Sequence, residues 1–430
     1  MARIVLVGAG SITFAKNLLS DILTFPELAE STIVLHDIDA ERLATAEAMA
    51  AWMVAELGVG ATIVAHADRR TALDGADYVI NEIAVGGLAA VRTDFEIPAR
   101  YGVRQTIGDT LGIGGIFRAL RTIPVVASIG HDLAELAPHA VLFNYSNPMS
   151  MIPWAVYAGT PFRNVVGVCH AARDTQKTLA RMVGVPEEQI TFVTAGVNHQ
   201  AFVLRFERAG ENLYRRLDEL IEADPELARR VRVEIYRNFG YFPTESSEHG
   251  SEYLPWFLAH PEEIEHYRIP VGIYLDWLAD NLDEYGRQKR SLDEGKGVEI
   301  RPGQELASLA IHSIETGTPR VVHGNVRNGG LISNLPADAC VEVPCHVDRS
   351  GVQPVRIGEL PAQLAALNRT FLNVSELTVK AALEGTRDYV YQAALLDPNT
   401  SATLPVRRIR ELVNELIAAH AALLPDGIRF

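Results

Sequence analysis

The feature that most constrains the fold is an alternation, in the first half of the chain, of short β-branched apolar runs with longer segments of helical spacing. Strands that alternate with helices in this way form a parallel sheet covered by helices on both faces. We predict strands at residues 2–7, 32–36, 61–65, 78–82, 140–143 and 165–169, and helices at residues 14–24, 40–57 and 117–136. The first half is therefore predicted to be a Rossmann-like, doubly wound α/β sheet.

The pattern changes near residues 202–207, and helical spacing dominates the second half. Helices are predicted there at residues 213–223, 226–238, 273–285, 305–315, 362–383 and 406–424. Residues 319–347 instead contain short strand-like runs around the turn signal Asn328-Gly329-Gly330. We predict two domains: a Rossmann-like domain at residues 1–195 packs on a mostly helical α+β domain at residues 196–430.

The charge and the cysteine content exclude several classes of partner. With 39 Lys and Arg against 54 Asp and Glu, the formal net charge is −15, which opposes binding to nucleic acid or to an anionic membrane. The chain enters its first predicted strand without a targeting segment, and no later segment approaches the ~20 apolar residues that span a bilayer. Three cysteines are too few, and odd in number, for a disulfide framework. We expect a cytoplasmic protein that acts on a neutral small molecule.

A glycine turn lies between the first predicted strand and the first predicted helix. Gly8, Gly10, Ser11 and Ile12 occupy the position where a backbone turn and a helix N-terminus receive the pyrophosphate of a dinucleotide. The third glycine of that fingerprint is replaced by Thr13. We therefore predict that this turn binds the cofactor. The prediction depends on the position of the turn between a strand and a helix more than on the number of its glycines.

The second predicted strand is followed by Asp37-Ile38-Asp39. Asp37 lies where a carboxylate binds a ribose 2′-hydroxyl, which favours NAD over NADP, whereas Asp39 is expected to cap the next helix. The alternative is an α/β fold without a nucleotide, in which the turn is only tight and the acid lies on the surface. Strand, turn, helix and acid together favour the dinucleotide.

Polar groups follow three strand-like runs, at Asn144–Met149, at Cys169-His170 and at Gly196–Gln200. Since carboxyl ends of strands form the ligand-binding edge of such sheets, we expect these groups to converge. Cys169 and His199, on adjacent strand ends, would hold one divalent metal with open coordination positions. The alternative is a buried cysteine beside a hydrogen-bonded core histidine.

Two further segments are rich in groups that titrate or bind metals. A glycine-rich loop and the start of a helix span residues 101–124, and Asp109 is their only acid; Asp109 is a candidate general acid, a group beside the metal or a turn residue. Residues 242–253 contain three Glu, one His and several hydroxyls. The alternative for this second segment is a surface loop with helix-capping serines.

Taken together, residues 8–11, 105–124, 144–149, 169–170, 196–199 and 243–253 resemble glycoside hydrolase family 4, and within it the α-galactosidase branch. The resemblance spans most of the chain. The NAD-dependent members of this family are exceptions to two-carboxylate glycoside hydrolysis. The resemblance implies that NAD⁺ removes hydride from C3 of an α-galactoside, so that the C2 proton becomes acidic. A base then removes that proton, the glycosidic oxygen leaves with help from an acid, water adds at C1, and hydride returns to C3.

The resemblance also assigns roles to single residues. Cys169 and His199 would bind Mn²⁺, and Asn147 would bind sugar hydroxyls near the metal. His170 would donate the proton to the leaving group, with Asp109 as the competing acid.

The base is open, because related branches use Tyr or Asp near a position that Ser246 and Ser247 fill here. His249 is a candidate substrate-binding residue. The candidate bases are Glu245, Glu248, His249, Tyr253 and a metal-bound hydroxide.

The sequence is also compatible with other functions and other substrates. A plain NAD-dependent 2-hydroxy acid dehydrogenase shares the sheet and the turn but needs no metal pair, and a non-catalytic sugar or NAD sensor shares the fold. Within the family, an α-glucosidase and an α-galacturonidase or α-glucuronidase are alternatives. An arginine aimed at a C6 carboxylate would favour a uronide, with Arg92, Arg118 and Arg237 as the candidates. The expected substrate is an oligosaccharide or aryl glycoside, and the expected assembly is a homodimer or homotetramer.

Overall fold

The computed structural model describes residues 1–429 and contains one twelve-stranded sheet. Its strands are β1 (Arg3–Val7), β2 (Thr32–His36), β3 (Thr62–His66), β4 (Tyr78–Asn81), β5 (Val141–Asn144), β6 (Val165–Val168), β7 (Thr191–Val197), β8 (Gln200–Arg208), β9 (Glu211–Asn212), β10 (Arg320–Arg327), β11 (Cys340–Asp348) and β12 (Gly351–Pro354). The six strands predicted in the first half are confirmed, each to within one residue at either end.

The first six strands are parallel and lie in the order β3-β2-β1-β4-β5-β6. β1 pairs with both β2 and β4, so the direction of winding reverses between β1 and β4. This is the strand order of the Rossmann fold, and ligands bind outside the carboxyl ends of the strands at such a reversal. The predicted doubly wound fold is confirmed.

The helices of this half are α1 (Ile12–Thr24), α2 (Ala40–Leu57), α3 (Arg69–Leu73), α4 (Gly87–Tyr101), α5 (Gly112–Leu136), α6 (Ile152–Gly159) and α7 (Ala171–Val183). α2 has the predicted bounds because Asp39 caps it, accepting hydrogen bonds from the two N–H groups of Glu41 and Arg42. α4 was not predicted, since it begins after a glycine without a capping side chain and carries Pro98 inside.

α5 corrects one expectation from the sequence. It begins at Gly112, inside the glycine-rich segment, rather than at residue 117. By length and composition it is long and apolar enough to cross a membrane, although no such segment was expected. In the structure 78% of its most apolar window is buried inside the protein, so α5 has the environment of a core helix.

The sheet continues beyond β6 through antiparallel strands in the order β10-β11-β7-β8-β9, and β12 pairs with β11. β10 joins β6 through only two residue pairs, Gly324 with Val168 and Asn325 with Gly167. β11 joins β7 through the single pair Glu342 and Gly196. The sheet therefore crosses the division predicted at residues 195 and 196, which falls inside β7.

The remaining helices are α8 (Tyr214–Ala223), α9 (Pro225–Ala228), α10 (Val231–Phe239), α11 (Ser247–Glu252), α12 (Pro261–His266), α13 (Ile273–Asp293), α14 (Leu306–Thr316), α15 (Ala362–Glu384), α16 (Arg387–Leu396), α17 (Pro398–Thr403), α18 (Val406–Ala419) and α19 (Asp426–Arg429). The helix predicted at residues 226–238 is two helices, because Arg230 has an extended backbone. The mostly helical second half is confirmed, with β10 and β11 as the strands predicted around the Asn328 turn.

Candidate active site

The turn after β1 requires both of its glycines. Gly8 has φ +95°, in the left-handed region, and a Cβ there would lie 3.1 Å from the backbone of Glu82. A Cβ on Gly10 would lie 2.6 Å from the Asp37 carboxylate. α1 begins directly afterwards at Ile12, and the Ser11 side chain makes no capping hydrogen bond. The turn thus leads the backbone directly into a helix N-terminus, the feature that receives a pyrophosphate.

Asp37 lies beside this turn at the end of β2. Its Oδ2 accepts a hydrogen bond from Gly10 N at 2.8 Å, and its Oδ1 accepts one from Asp39 N at 2.9 Å. Ile38, next in the chain, is 94% exposed, and an exposed aliphatic side chain suits the flat face of a purine. The structure therefore places Asp37 with the candidate cofactor turn and leaves Asp39 to the helix.

A second cluster is centred on His199. Its Nε2 lies 3.4 Å from Cys169 Sγ and 3.4 Å from Glu245 Oε2. One donor atom from each of the three residues lies within 4.8 Å of the others. His199 is held by the two-residue hairpin between β7 and β8, where its φ is +67°. The cluster thus joins a thiol, an imidazole and a carboxylate from three separate segments.

The expectation that Cys169 and His199 lie on adjacent strand ends was wrong. β10 and β11 separate β6, which leads to Cys169, from β7, which leads to His199. The side chains still meet, because the residue pairs that join β6 to β10 and β11 to β7 are few and lie close to those strand ends.

Thr110 orients the His199 ring. The Thr110 hydroxyl donates a hydrogen bond to Asp109 Oδ1 at 2.7 Å, so it accepts the one from His199 Nδ1–H at 2.9 Å. This assignment leaves a lone pair on His199 Nε2, directed at Cys169 and Glu245. Burial lowers the pKa of His199 to about 4, so the ring is neutral near pH 7.

Asp109 and His249 form the other side of the cluster. His249 Nε2 lies 3.6 Å from Asp109 Oδ1, and His249 Nδ1 lies 3.6 Å from Glu245 Oε1. Asp109 Oδ2 accepts a hydrogen bond from Asn147 Nδ2 at 2.8 Å, and Asn147 Oδ1 is buried without a partner among the described residues. Four of the predicted site residues, Asp109, Asn147, His199 and His249, are therefore brought together with Cys169.

The charges of this cluster are set by its own members. Burial opposes the charged form of His249, but the carboxylates of Glu245 and Asp109 outweigh it and raise the pKa of His249 to about 9. Burial likewise opposes ionised Asp109, and its contact with His249 outweighs this and lowers the pKa of Asp109. Burial, with Glu245 and Glu342 nearby, raises the pKa of the Cys169 thiol. Near pH 7 the cluster holds two carboxylates, one imidazolium and a neutral His199.

Glu252 anchors the glycine-rich loop, a role that sequence reasoning missed. Its carboxylate accepts hydrogen bonds from the N–H groups of Thr106, Ile107 and Gly108 at 2.7 to 3.1 Å. The side chain is 1% exposed, and burial raises its pKa to about 7. Because the same loop carries Asp109 and Thr110, Glu252 ties α11 to both sides of the cluster.

Glu342 was also missed. It is fully buried on β11, and its Oε1 accepts a hydrogen bond from Asn198 Nδ2 at 3.0 Å. Asn198 precedes His199 in the hairpin turn, so this contact helps to fix the turn. The signal in the sequence was an acid inside the apolar run Cys340-Val-Glu-Val-Pro-Cys345.

His170 lies apart from the cluster around His199. Its Nε2 lies 2.8 Å from Glu305 Oε2, which raises the pKa of His170. Glu305 is held just before α14, where Asp21 accepts hydrogen bonds from the N–H groups of residues 303, 304 and 305. The His170 side chain is 37% exposed, so a solvent-accessible imidazole, paired with Glu305, directly follows the metal-binding candidate Cys169 in the chain.

The candidate bases separate into two groups. Tyr253 is buried, with its hydroxyl 3.3 Å from His199 Nδ1, and Glu245 lies in the cluster. Glu248 lines a surface depression with Arg230 and Tyr267 instead. Glu248 is therefore the candidate that the structure removes from the site.

Comparisons with known proteins were consistent along the whole chain. The model of the family 4 glycosyl hydrolases matches residues 3–185, and that of their C-terminal domain matches residues 194–400. An α-galactosidase of Bacillus subtilis (strain 168) is 40% identical, over 99% of this chain and 100% of that protein. An α-galacturonidase of the same organism is 30% identical, over 92% of this chain and 93% of that protein.

Solved structures show the same fold. A putative glucosidase from Bacillus subtilis superposes with a TM-score of 0.89 at 26% identity, covering 97% of this chain and 99% of that one. A 6-phospho-α-glucosidase from gut microorganisms, solved in complex with NAD and Mn²⁺, has a TM-score of 0.82 at 20% identity and covers 99% of both chains.

Proposed function

The chain belongs to family 4 of the glycosyl hydrolases, and we propose that it is an NAD- and Mn²⁺-dependent α-galactosidase. The observation that carries the sugar assignment is the 40% identity to an α-galactosidase over essentially the full length of both chains. A plain 2-hydroxy acid dehydrogenase is disfavoured, because the cluster of Cys169, His199 and Glu245 has no use in it. The proposed substrate is an α-linked oligosaccharide or aryl galactoside.

NAD fits the edge of the sheet between β2 and β4. The helix N-terminus at Ile12, which the chain enters through Gly10 and Ser11, would receive the pyrophosphate, and Asp37 would bind the adenosine ribose and repel a 2′-phosphate. When bound, NAD⁺ supplies a hydride acceptor that returns the hydride later in the same cycle. The structures of relatives with bound NAD support this cofactor.

A divalent cation fits the cluster around His199. The His199 lone pair and the Glu245 carboxylate face each other, and the Cys169 sulfur, which would bind a metal as a thiolate, lies beside them; a shared cation stabilises such a set of ligands. Cys169, His199 and Glu245 would hold it, and Glu245 joins the two ligands predicted from the sequence. When bound, the metal supplies a Lewis acid for two neighbouring sugar oxygens.

The other side chains of the site would bind the sugar and move protons. Asn147, with its buried free Oδ1, would accept a hydrogen bond from a sugar hydroxyl. Asp109 is held as an anion by His249, which suits a hydrogen-bond acceptor rather than a general acid. We therefore assign the leaving-group proton to His170, whose pKa is raised by Glu305 and which solvent reaches.

Turnover of p-nitrophenyl α-D-galactoside tests the proposal. After the cofactors are stripped, p-nitrophenol release should require NAD⁺ and Mn²⁺ together, and omission of either should abolish it. Activity that persists without NAD⁺ would contradict the redox route. In D₂O the released galactose should carry deuterium at C2, and its absence would contradict the removal of the C2 proton.

A uronide is the second candidate substrate, because of Arg118. Its Nε donates a hydrogen bond to the carbonyl oxygen of Asn147 at 3.2 Å, and its Nη1 lies 3.4 Å from the Tyr274 hydroxyl. Arg92 and Arg237 are exposed on their helices, so Arg118 alone of the three faces the sugar-binding candidate. Faster cleavage of p-nitrophenyl α-D-galacturonide than of the galactoside would select this alternative.

We further propose a homodimer or homotetramer. Among the described residues of α13, only Gln288 is buried, while Trp277 and Leu282 are 43% and 42% exposed. Such apolar side chains on a long surface helix favour an interface. Sedimentation of the purified protein should show two or four copies, and a monomer at micromolar concentration would contradict the proposal.

A further inference from the structure

Glu82 has no role in the mechanism above, although it lies at the edge of the sheet where the cofactor would bind. It directly follows β4, and its N–H donates a hydrogen bond to the carbonyl oxygen of Val7, the last residue of β1. Its backbone is the part of the protein that a Cβ on Gly8 would strike, at 3.1 Å. Glu82 is therefore the residue immediately after β4, and it is a direct neighbour of the glycine turn.

The Glu82 carboxyl group is buried but makes no hydrogen bond within the described residues. Both of its oxygens are inaccessible to solvent, and neither has a hydrogen-bond partner among residues 1–429. The charged groups that face it are the acids Asp37, at the end of β2, and Glu305, before α14. Burial and these two carboxylates raise the pKa of Glu82 well above its ordinary value. A buried polar group without a partner destabilises a fold, and such groups are concentrated at sites that bind a ligand.

The order of the strands indicates what that ligand group is. Asp37 at β2 is the candidate for the adenosine ribose, and the turn after β1 is the candidate for the pyrophosphate. Asn147 after β5 is the candidate for the sugar. β4 lies between β1 and β5, so the next unit of the dinucleotide beyond the pyrophosphate, the nicotinamide ribose, would pass Glu82.

We propose that the Glu82 carboxyl group hydrogen-bonds the hydroxyls of the nicotinamide ribose of NAD. A carboxyl group accepts from one hydroxyl and, while protonated, donates to another, so both orphaned oxygens gain a partner when the dinucleotide binds. The proposal rests on NAD being the cofactor of this chain. It assigns to Glu82 a binding role only, with no part in proton transfer.

Glu82→Met and Glu82→Gln test this assignment through binding to the stripped protein, with calorimetry as the readout. Three ligands contain successively larger parts of the dinucleotide. ADP ends at the pyrophosphate, ADP-ribose adds the second ribose, and NAD⁺ adds the nicotinamide ring. In Glu82→Met we expect the Kd values of NAD⁺ and of ADP-ribose to rise about tenfold, with ADP binding within about twofold of wild type. In Glu82→Gln, which keeps a donor and an acceptor, we expect a smaller rise for the same two ligands.

Asp37→Asn is the matched comparison, since it should weaken all three ligands, ADP included. The melting temperature of the unliganded Glu82→Met protein should be equal to or above that of wild type, because the substitution removes a buried polar group without a partner. An NAD⁺ affinity unchanged in Glu82→Met, an equal loss for ADP, or a loss for NAD⁺ without one for ADP-ribose would each overturn the assignment. If wild type itself fails to bind NAD⁺, the proposed function fails, which separates the two conclusions.

Discussion

The two candidate binding regions of this protein are built in different ways. The cofactor edge uses residues 8–12 and Asp37, which follow two paired neighbouring strands and contact each other through main-chain N–H groups. The cluster around His199 draws on the glycine-rich loop, the ends of β5 and β6, a hairpin and α11, and its members contact each other mainly through side chains.

The difference predicts how each region responds to substitution. A backbone-built site depends on a turn that the adjoining strand and helix already fix, so one side chain contributes only its own contact. A side-chain cluster is coupled, since each member sets the charge or orientation of the next. Substitutions in the cluster are therefore expected to cost more than substitutions at the cofactor edge.

The largest effect is expected from Cys169→Ser. Removal of a direct ligand should lower Mn²⁺ affinity and p-nitrophenyl α-galactoside turnover by more than about 100-fold, since loss of an outer partner alone costs about 10- to 100-fold. Mn²⁺ titration followed by calorimetry measures this. Cys345→Ser is the control for loss of a buried thiol, and substantial Mn²⁺-stimulated turnover in Cys169→Ser would remove the thiolate from the site.

Glu252→Ala should have the next largest effect. It leaves three buried N–H groups of the glycine-rich loop without an acceptor, at about 1–3 kcal/mol for each group that water does not reach. We expect kcat/KM to fall about 10- to 100-fold and the amides of residues 106–110 to exchange hydrogen faster, with NAD⁺ affinity unchanged. Glu262→Ala, at an exposed position, is the control; slow exchange at residues 106–110 in Glu252→Ala would show that the loop is held by other contacts.

Asp37→Ala is expected to weaken NAD⁺ binding about tenfold, the value of one hydrogen bond to a charged group. The neighbouring variant Asp39→Ala removes a helix cap instead, so it should lower stability by about 1 kcal/mol and leave the Kd of NAD⁺ unchanged. Calorimetric titration of both variants compares them. Equal Kd values for Asp37→Ala and wild type would reject the ribose assignment.

The last effect concerns the free energy of unfolding and its dependence on pH, rather than binding or turnover. The pKa of Glu252 is about 7 in the folded protein against an ordinary 4.5. Between these two pH values the Glu252 side chain keeps its proton in the folded state and has lost it in the unfolded state. This contribution is complete below pH 4.5 and is lost as pH rises through 7, at most about 1.4 kcal/mol per pH unit. Urea unfolding at pH 5, 6 and 7 should show a shallower decline for Glu252→Gln than for wild type; parallel curves would contradict the raised pKa.

The cofactor half was predictable because its determinants are local. The alternation of strands and helices, the position of Gly8 after β1 and that of Asp37 after β2 all lie within short stretches of chain. The structure confirmed the six strands and the capping role of Asp39. Local patterns did not reveal α4, which lacks a capping side chain, or the early start of α5.

The cluster around His199 was predictable only in part. Cys169, His199 and Asn147 follow strand-like runs, so their convergence was expected from the sheet edge alone. Glu252 and Glu342 act across more than 140 residues of chain, and no spacing in the sequence expresses such a distance. The two strands between β6 and β7 come from a later part of the chain, which is why they were not expected there.

The single sheet has a consequence for how the protein can be taken apart. β10 and β11, from the second half of the chain, lie between β6 and β7 of the first half. A fragment that ended after β7 would lack β10 and β11. Its β6 and β7 would then have unpaired hydrogen-bonding edges, which are a template for aggregation. The halves are thus poor modules for exchange among relatives, and a chimera would have to take β6, β7, β10 and β11 from the same protein.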